Sequence, residues 1–244
     1  MGIELIVEDN ADAASSRAAD IVAAAISRKP RLSVVFATGN SPMALYAELA
    51  RRQAEGLFDA RGVKAFQLDA YLGTADTDPR SLFGWMDRAV LQPLSIPPER
   101  VVRFPERVDD PQAACEAFAQ EIERAGGFDL SILGLGPNGH LGFNEPPSDE
   151  TATTRAIGLT PESVASNAVY WGGEDHVPRG ALTVGMDALL KARQTVLVVL
   201  GARKHAILHA ALEGPVTPDV PASFLQGAAN VTVVADRAAW TGRD

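Results

Sequence analysis

Phe128-Asp-Leu-Ser-Ile-Leu-Gly-Leu-Gly-Pro-Asn-Gly-His-Leu-Gly-Phe-Asn-Glu-Pro146 joins a short apolar run to a segment crowded with glycine and proline. Phe128 to Leu133 has the length and composition of a β-strand, which puts Gly134 to Pro146 at that strand's carboxyl end. In an open α/β sheet, ligands gather at that end. His140 and Glu145 bring a proton-transfer pair there: an imidazole that can give and take protons, and a carboxylate able to fix its tautomer and stabilise its cation. Gly134-x-Gly136-x-x-Gly139 matches the dinucleotide fingerprint, but that fingerprint opens a helix in the first βαβ unit, and Pro137 and Phe143-Asn-Glu-Pro-Pro147 oppose a helix. His140 sits between glycines in a loop, where neither packing nor helix propensity accounts for it.

On either side of this loop the chain alternates strand and helix. Ile3 to Val7 reads as a strand, and Asn10 caps a helix whose Ala18, Ile21, Val22, Ala25 and Ile26 recur at helical spacing until Pro30. Leu32 to Phe36 is a second strand; Thr38-Gly39-Asn40-Ser41 follows, with Ser41 as cap and Pro42 at the first position of a helix bearing Leu45 and Leu49. A strand, a polar turn and a helix start present free N–H groups suited to an anion, although an ordinary capped turn has the same pattern. Val63 to Leu68 is a third strand with Asp69 at its end, a placement suited either to chemistry in the crevice or to a simple turn.

Thr74 to Pro79 reads as loop, Ser81 to Val90 as helix and Val101 to Phe104 as a short strand. Asp110-Pro111 starts a helix with Ala114, Phe118 and Ile122 on one face. Ala181 to Val184 and Thr195 to Leu200 read as strands, Lys204 to Leu212 as a helix and Val231 to Ala235 as the last strand. The alternation predicts an α/β fold: a mainly parallel sheet covered by helices on both faces, an open Rossmann-like three-layer sandwich formed by one domain over residues 1–244.

The 244 residues are 46% apolar and 22% charged, and no run approaches a membrane span. Nothing at Met1-Gly-Ile-Glu4 resembles a signal peptide, and the single cysteine, Cys115, falls in a helical pattern. A cytoplasmic protein is expected. The net charge of −9 disfavours nucleic acid and anionic membrane, and requires a local cationic pocket for any anionic substrate. His205 and His209 lie at i and i+4, as in zinc hydrolases, but the glutamate of that motif is replaced by Ala206, so no metal is expected.

Gly136 to Pro146 resembles the signature loop of the glucosamine-6-phosphate deaminases, within the wider sugar-phosphate isomerase and 6-phosphogluconolactonase superfamily. The resemblance extends through Ala37-Thr-Gly-Asn-Ser-Pro42, Leu68-Asp-Ala-Tyr71, Val177-Pro-Arg-Gly-Ala-Leu-Thr-Val-Gly185, Leu212-Glu-Gly-Pro215 and Ser223-Phe-Leu-Gln226. The lactonase relatives carry the Gly-His but not the Phe-Asn-Glu-Pro, so the deaminase branch is the nearer one. The resemblance implies isomerisation and deamination of a 2-amino sugar phosphate without a cofactor. Asp69 would be the base at C2, His140 the ring-opening group oriented by Glu145, and Asn138 an orienting amide; Thr38, Gly39, Asn40, Ser41 and Lys204 would hold the phosphate. The partner implied is a small amino-sugar phosphate, and a homo-oligomer is left open.

Four departures stand out. Ala70 replaces a usual glutamate beside the base. Ser148 and Arg155 match activator-binding positions of regulated members, but Ile157 stands where those have lysine. Asn138 is aspartate in some members. Most consequentially, Ser166-Asn-Ala-Val-Tyr-Trp171 places Val169 where the family has a phosphate-binding arginine, leaving Arg203 or Arg179 as stand-ins. The rivals are therefore a deaminase for a different amino sugar, a lactonase-type hydrolase and a non-enzymatic sugar-phosphate sensor.

Overall fold

The computed structural model describes residues 2–75, 77–105 and 108–243. Strand β1 (Glu4–Glu8) leads to helix α1 (Ala11–Arg28), β2 (Ser33–Phe36), α2 (Asn40–Ala54), β3 (Lys64–Gln67), β4 (Asp69–Tyr71) and α3 (Leu82–Met86). Then come β5 (Val101–Val102), α4 (Pro111–Arg124), β6 (Leu130–Gly134), β7 (Arg155–Gly158), α5 (Pro161–Trp171), β8 (Gly180–Thr183) and α6 (Met186–Leu190). The chain closes with β9 (Thr195–Val199), α7 (His205–Leu212), β10 (Val231–Asp236) and α8 (Arg237–Thr241).

Seven strands form one sheet in the order β1-β10-β9-β6-β2-β3-β5, and every pairing in it is parallel. A strand alternates its side chains between faces, so residues one apart enter different cores. Val35, Phe66, Leu133, Leu197 and Val233 pack with Phe118 and Ile122 of α4, Met186 of α6 and Leu208 of α7. Val34, Ala65, Ile132, Val198 and Val234 face the other way, against Val22 and Ile26 of α1 and Leu45 and Leu49 of α2. The expected covering of a parallel sheet on both faces is thus present. After β2 the chain runs to β3 on one side, and after β6 to β9 on the other, so the strand order reverses between β2 and β6. That reversal opens a crevice at their carboxyl ends.

Local signals set most boundaries. Asn10 accepts from the Ala13 N–H at 2.9 Å to start α1, and Asp110 accepts from Gln112 and Ala113 ahead of Pro111 to start α4. Ser81 caps α3, which continues as a π-helical turn over Asp87–Leu91. Several expectations need correction. Ser41 does not cap α2: the chain turns at Gly39, whose φ of 116° is open to glycine alone, and Ser41 lies inside the first turn. The strand expected to end in Phe104 stops at Val102, because the Phe104 N–H turns to the Gln67 side chain. Lys204 belongs to a 3-10 turn preceding α7. Of the expected loop from Thr74 to Pro79, Asp76 lies outside the described residues.

The larger difference is a second, antiparallel sheet in the order β4-β8-β7. Asp69 opens β4 instead of closing β3, and the segment expected as a further strand over Ala181 to Val184 pairs with it outside the main sheet. Gln67 makes the break: its amide donates to the Asp69 carbonyl at 2.7 Å while its oxygen accepts from Phe104. Strand β7 and helix α5 have no counterpart in the sequence reading. They cover a third core of Tyr71, Leu82, Phe143, Val164, Trp171, Val177 and Ala181.

Candidate functional site

The loops after β2, β3, β6 and β9 bring the candidate residues to one end of the sheet. The β2 loop is anchored by the Tyr46 hydroxyl, which donates to the Ala37 carbonyl at 2.8 Å. It then passes through Thr38 and Gly39 into the fifteen-residue helix α2, whose first-turn N–H groups have no side-chain cap. A Cβ placed on Gly134 would meet the Ser41 Cβ at 3.7 Å, so the β2 and β6 loops abut. Lys204 joins them from the β9 side, its Nζ donating to the Leu135 carbonyl at 2.6 Å. Burial depresses the pKa of this ammonium. An ammonium has three donors, and among the described residues only the Leu135 carbonyl accepts one from Lys204.

The β6 loop carries the proton-transfer pair. His140 Nδ1 lies 3.1 Å from Glu145 Oε2, and Asn138 Nδ2 donates to the same oxygen at 2.8 Å. Thr160, the N-cap of α5, donates to it at 3.3 Å. Burial pushes the Glu145 pKa up, but the hydrogen bond and charge of His140 and the Asn138 amide outweigh it and hold the carboxyl at about 2. Ser163 also favours the anion, and among the described residues neither its hydroxyl nor Glu145 Oε1 has a hydrogen-bond partner. With Nδ1 committed to Glu145, Nε2 is the nitrogen left for proton transfer. The ring lies against Gly136, where a Cβ would come within 2.2 Å of Cδ2.

Asp69 reaches this loop through the second sheet. It pairs with Thr183, whose hydroxyl accepts the Phe143 N–H at 3.0 Å, and a Cβ on Gly142 would press Leu68 at 3.2 Å. Asp69 is 7% exposed, and no described residue donates a hydrogen bond to its carboxyl. Burial therefore raises its pKa to about 7. A carboxylate that is buried, unpaired and close to half-ionised at neutral pH is suited to taking a proton from carbon.

The structure thus gathers Asp69, Asn138, His140 and Glu145 around one loop, and Ser41 and Lys204 beside it. Asn138 binds Glu145, which adds a partner that its orienting role did not foresee. Thr160 and Thr183 were missed; Thr160-Pro161 is a readable helix-start signal, but its contact with Glu145 is tertiary. Val169 is 76% exposed on α5. Arg179 is turned to the Glu174 carbonyl at 3.0 Å, whereas Arg203 is exposed in the turn that holds Lys204. The ring nitrogens of His205 and His209 face the Trp240 carbonyl and Glu213. No cluster of three or more potential metal-ligating side chains occurs among the described residues.

A family profile described as glucosamine-6-phosphate isomerases/6-phosphogluconolactonase matches residues 7–234. A glucosamine-6-phosphate deaminase of Halothermothrix orenii is 36% identical over 97% of this chain and 98% of its own. One of Cutibacterium acnes is 38% identical over 97% and 91%. Among solved structures, a glucosamine-6-phosphate deaminase described as monomeric superposes with a TM-score of 0.94 at 31% identity over the full length of both chains. A 6-phosphogluconolactonase of Trypanosoma brucei, with a TM-score of 0.76 and 21% identity over 97% of both chains, shares the fold.

Proposed function

The chain belongs to the family of glucosamine-6-phosphate isomerases and 6-phosphogluconolactonases, and we propose that within it the protein converts D-glucosamine 6-phosphate and water to D-fructose 6-phosphate and ammonium. The observation that carries this is Asp69: a buried carboxyl without a hydrogen-bond partner among the described residues, with a pKa near 7, beside a His140–Glu145 pair. Lactone hydrolysis needs an activated water and no base at a carbon. The relatives at 36% and 38% identity are named as deaminases.

His140 Nε2 shuttles the proton from the O1 hydroxyl to the ring oxygen, and the sugar opens. Glu145 holds the ring by Nδ1 and stabilises the transient imidazolium. Asp69 removes the proton from C2, giving an enolamine, and returns it to C1. The resulting ketimine at C2 adds water and loses ammonia. Each positioned acid or base supplies about 10²–10⁴-fold.

The phosphate sits over the Thr38–Ser41 turn and the α2 N-terminus with Lys204 as counter-charge. Val169 removes one charge-assisted contact of about 1.5–3 kcal/mol, or roughly ten- to a hundredfold in affinity; the exposed Arg203, next to Lys204 in the same turn, is the cation proposed to offset it. All of these groups come from one chain, so a monomer suffices for the chemistry. Residues 1–244 act as one domain, in the cytoplasm where sugar phosphates occur; among the described residues no helix is long and apolar enough to cross a membrane.

The test is a panel of amino-sugar phosphates, their epimers, their unphosphorylated forms and a sugar-phosphate lactone, scored by ammonia release and acid formation. Ammonia with fructose 6-phosphate from glucosamine 6-phosphate is expected. Lactone hydrolysis without ammonia release from any amino sugar would reassign the reaction.

A further inference from the structure

Arg155, in β7, has a half-buried guanidinium that forms no ion pair among the described residues. Its fork is used on neutral oxygens instead. Nη1 donates to Asn144 Oδ1 at 2.7 Å and to the Thr153 carbonyl at 3.2 Å, and Nη2 donates to Ser148 Oγ at 2.9 Å. Both of those side chains are buried, and they flank Glu145 on either side. Ser148 passes the contact on, its hydroxyl donating to the Glu145 carbonyl at 2.6 Å. Asn144 secures the other side, donating to the Leu141 and Val184 carbonyls at 2.8 Å each.

Residues 141–148 belong to no strand or helix, so their conformation rests on these side-chain bonds. We infer that Arg155 is a positioning residue: through Asn144 and Ser148 it fixes the backbone of Glu145, and thereby the orientation of the His140 ring. Burial disfavours this cation and the Asp187 charge favours it without a direct ion pair, so the contacts it makes go to the neutral oxygens of Asn144, Thr153 and Ser148. What it supplies is polarisation of the Ser148 hydroxyl toward the Glu145 carbonyl and a planar fork that spans two residues. A lysine has one nitrogen and cannot bridge Asn144 and Ser148 in the same way.

The inference rests on the proposed role of His140 in ring opening, and the experiment separates the two. Arg155→Ala and Arg155→Lys are compared with wild type and His140→Ala on glucosamine 6-phosphate, on an open-chain analogue and in C2-proton exchange, with the fold checked by circular dichroism. Both Arg155 variants should lose kcat on the closed sugar by up to about a hundredfold, the scale of a misplacement near 1 Å, with KM little changed. Turnover of the open-chain analogue and its C2 exchange should be spared, and added guanidinium should restore part of the loss in Arg155→Ala. Should Arg155→Ala fail to fold, Arg155→Lys carries the same expectations apart from rescue. Unchanged kcat in a folded variant, or equal losses on closed and open-chain substrates without rescue, overturns the inference. A His140→Ala enzyme unimpaired on the closed sugar overturns the ring-opening role first, and this inference with it.

Discussion

Replacing Asp69 by asparagine should abolish turnover and, at the same time, make the protein more stable above neutral pH. Burial lifts this carboxyl from 3.8 to about 7, so the native state holds a proton that the unfolded chain has already released. The native state is therefore penalised progressively as pH rises from about 4 to about 7, and fully above it. At about 1.4 kcal/mol per pKa unit, the penalty is roughly 4 kcal/mol at pH 8, less than half of that at pH 5 and near zero at pH 3. An uncharged amide at this position carries no such penalty. Any fixed cost of the amide is the same at every pH, so the informative quantity is the change in the stability difference between the two proteins. From pH 5 to pH 8 it should move by roughly 2–3 kcal/mol in favour of Asp69→Asn, read from urea midpoints at constant m-value. In parallel, wild-type kcat/KM should rise with pH through about 7, because only the ionised carboxylate accepts the C2 proton. A stability difference that is the same at pH 5 and pH 8 would refute the claim that an unpaired buried carboxylate sits there, and C2 exchange at the wild-type rate in the mutant would remove it as the base.

Glu145→Gln should cost less kcat than His140→Ala, since orienting an imidazole contributes less than its proton transfer; equal defects of His140→Ala on closed and open-chain substrates would contradict its assignment. Gly136→Ala should lower kcat toward the His140→Ala level while costing about 1–3 kcal/mol of stability, because the new methyl falls within 2.4 Å of three ring atoms at a position whose φ is not positive; wild-type kcat would show that the ring is free to move. Lys204→Ala should raise KM for the phosphorylated sugar strongly, and Val169→Arg should lower it roughly ten- to a hundredfold if the guanidinium reaches the phosphate, with neither affecting an unphosphorylated amino sugar. An unchanged KM in Lys204→Ala would place the phosphate elsewhere.

The sequence by itself determined the class of fold and, through the family resemblance, nominated the groups proposed to react. Runs such as Ser33–Phe36 and Thr195–Val199 are mostly apolar, and buried throughout, because parallel strands are covered on both faces, and the helices between them carry caps such as Asn10 and Asp110. His140 and Glu145 stood out because a loop between glycines gives packing no reason for an imidazole and a carboxylate, whereas Asp69 at a strand end read equally as a turn former and was singled out only through the family resemblance. Tertiary structure decided what those groups became. Leu68 to Tyr71 looks like the end of one strand, but the Gln67 side chain bonds across to Asp69 and Phe104 and turns the chain into a second sheet, a switch set by partners 2 and 37 residues away. The pKa of Asp69 depends on how much water the surrounding loops exclude, and that of Glu145 on burial being outweighed by His140, Ser163 and Asn138, which come together from separate turns of the chain. Periodicity and capping are properties of neighbours along the chain and can be read from it. Desolvation and hydrogen bonding between loops depend on distances that only the packed molecule sets.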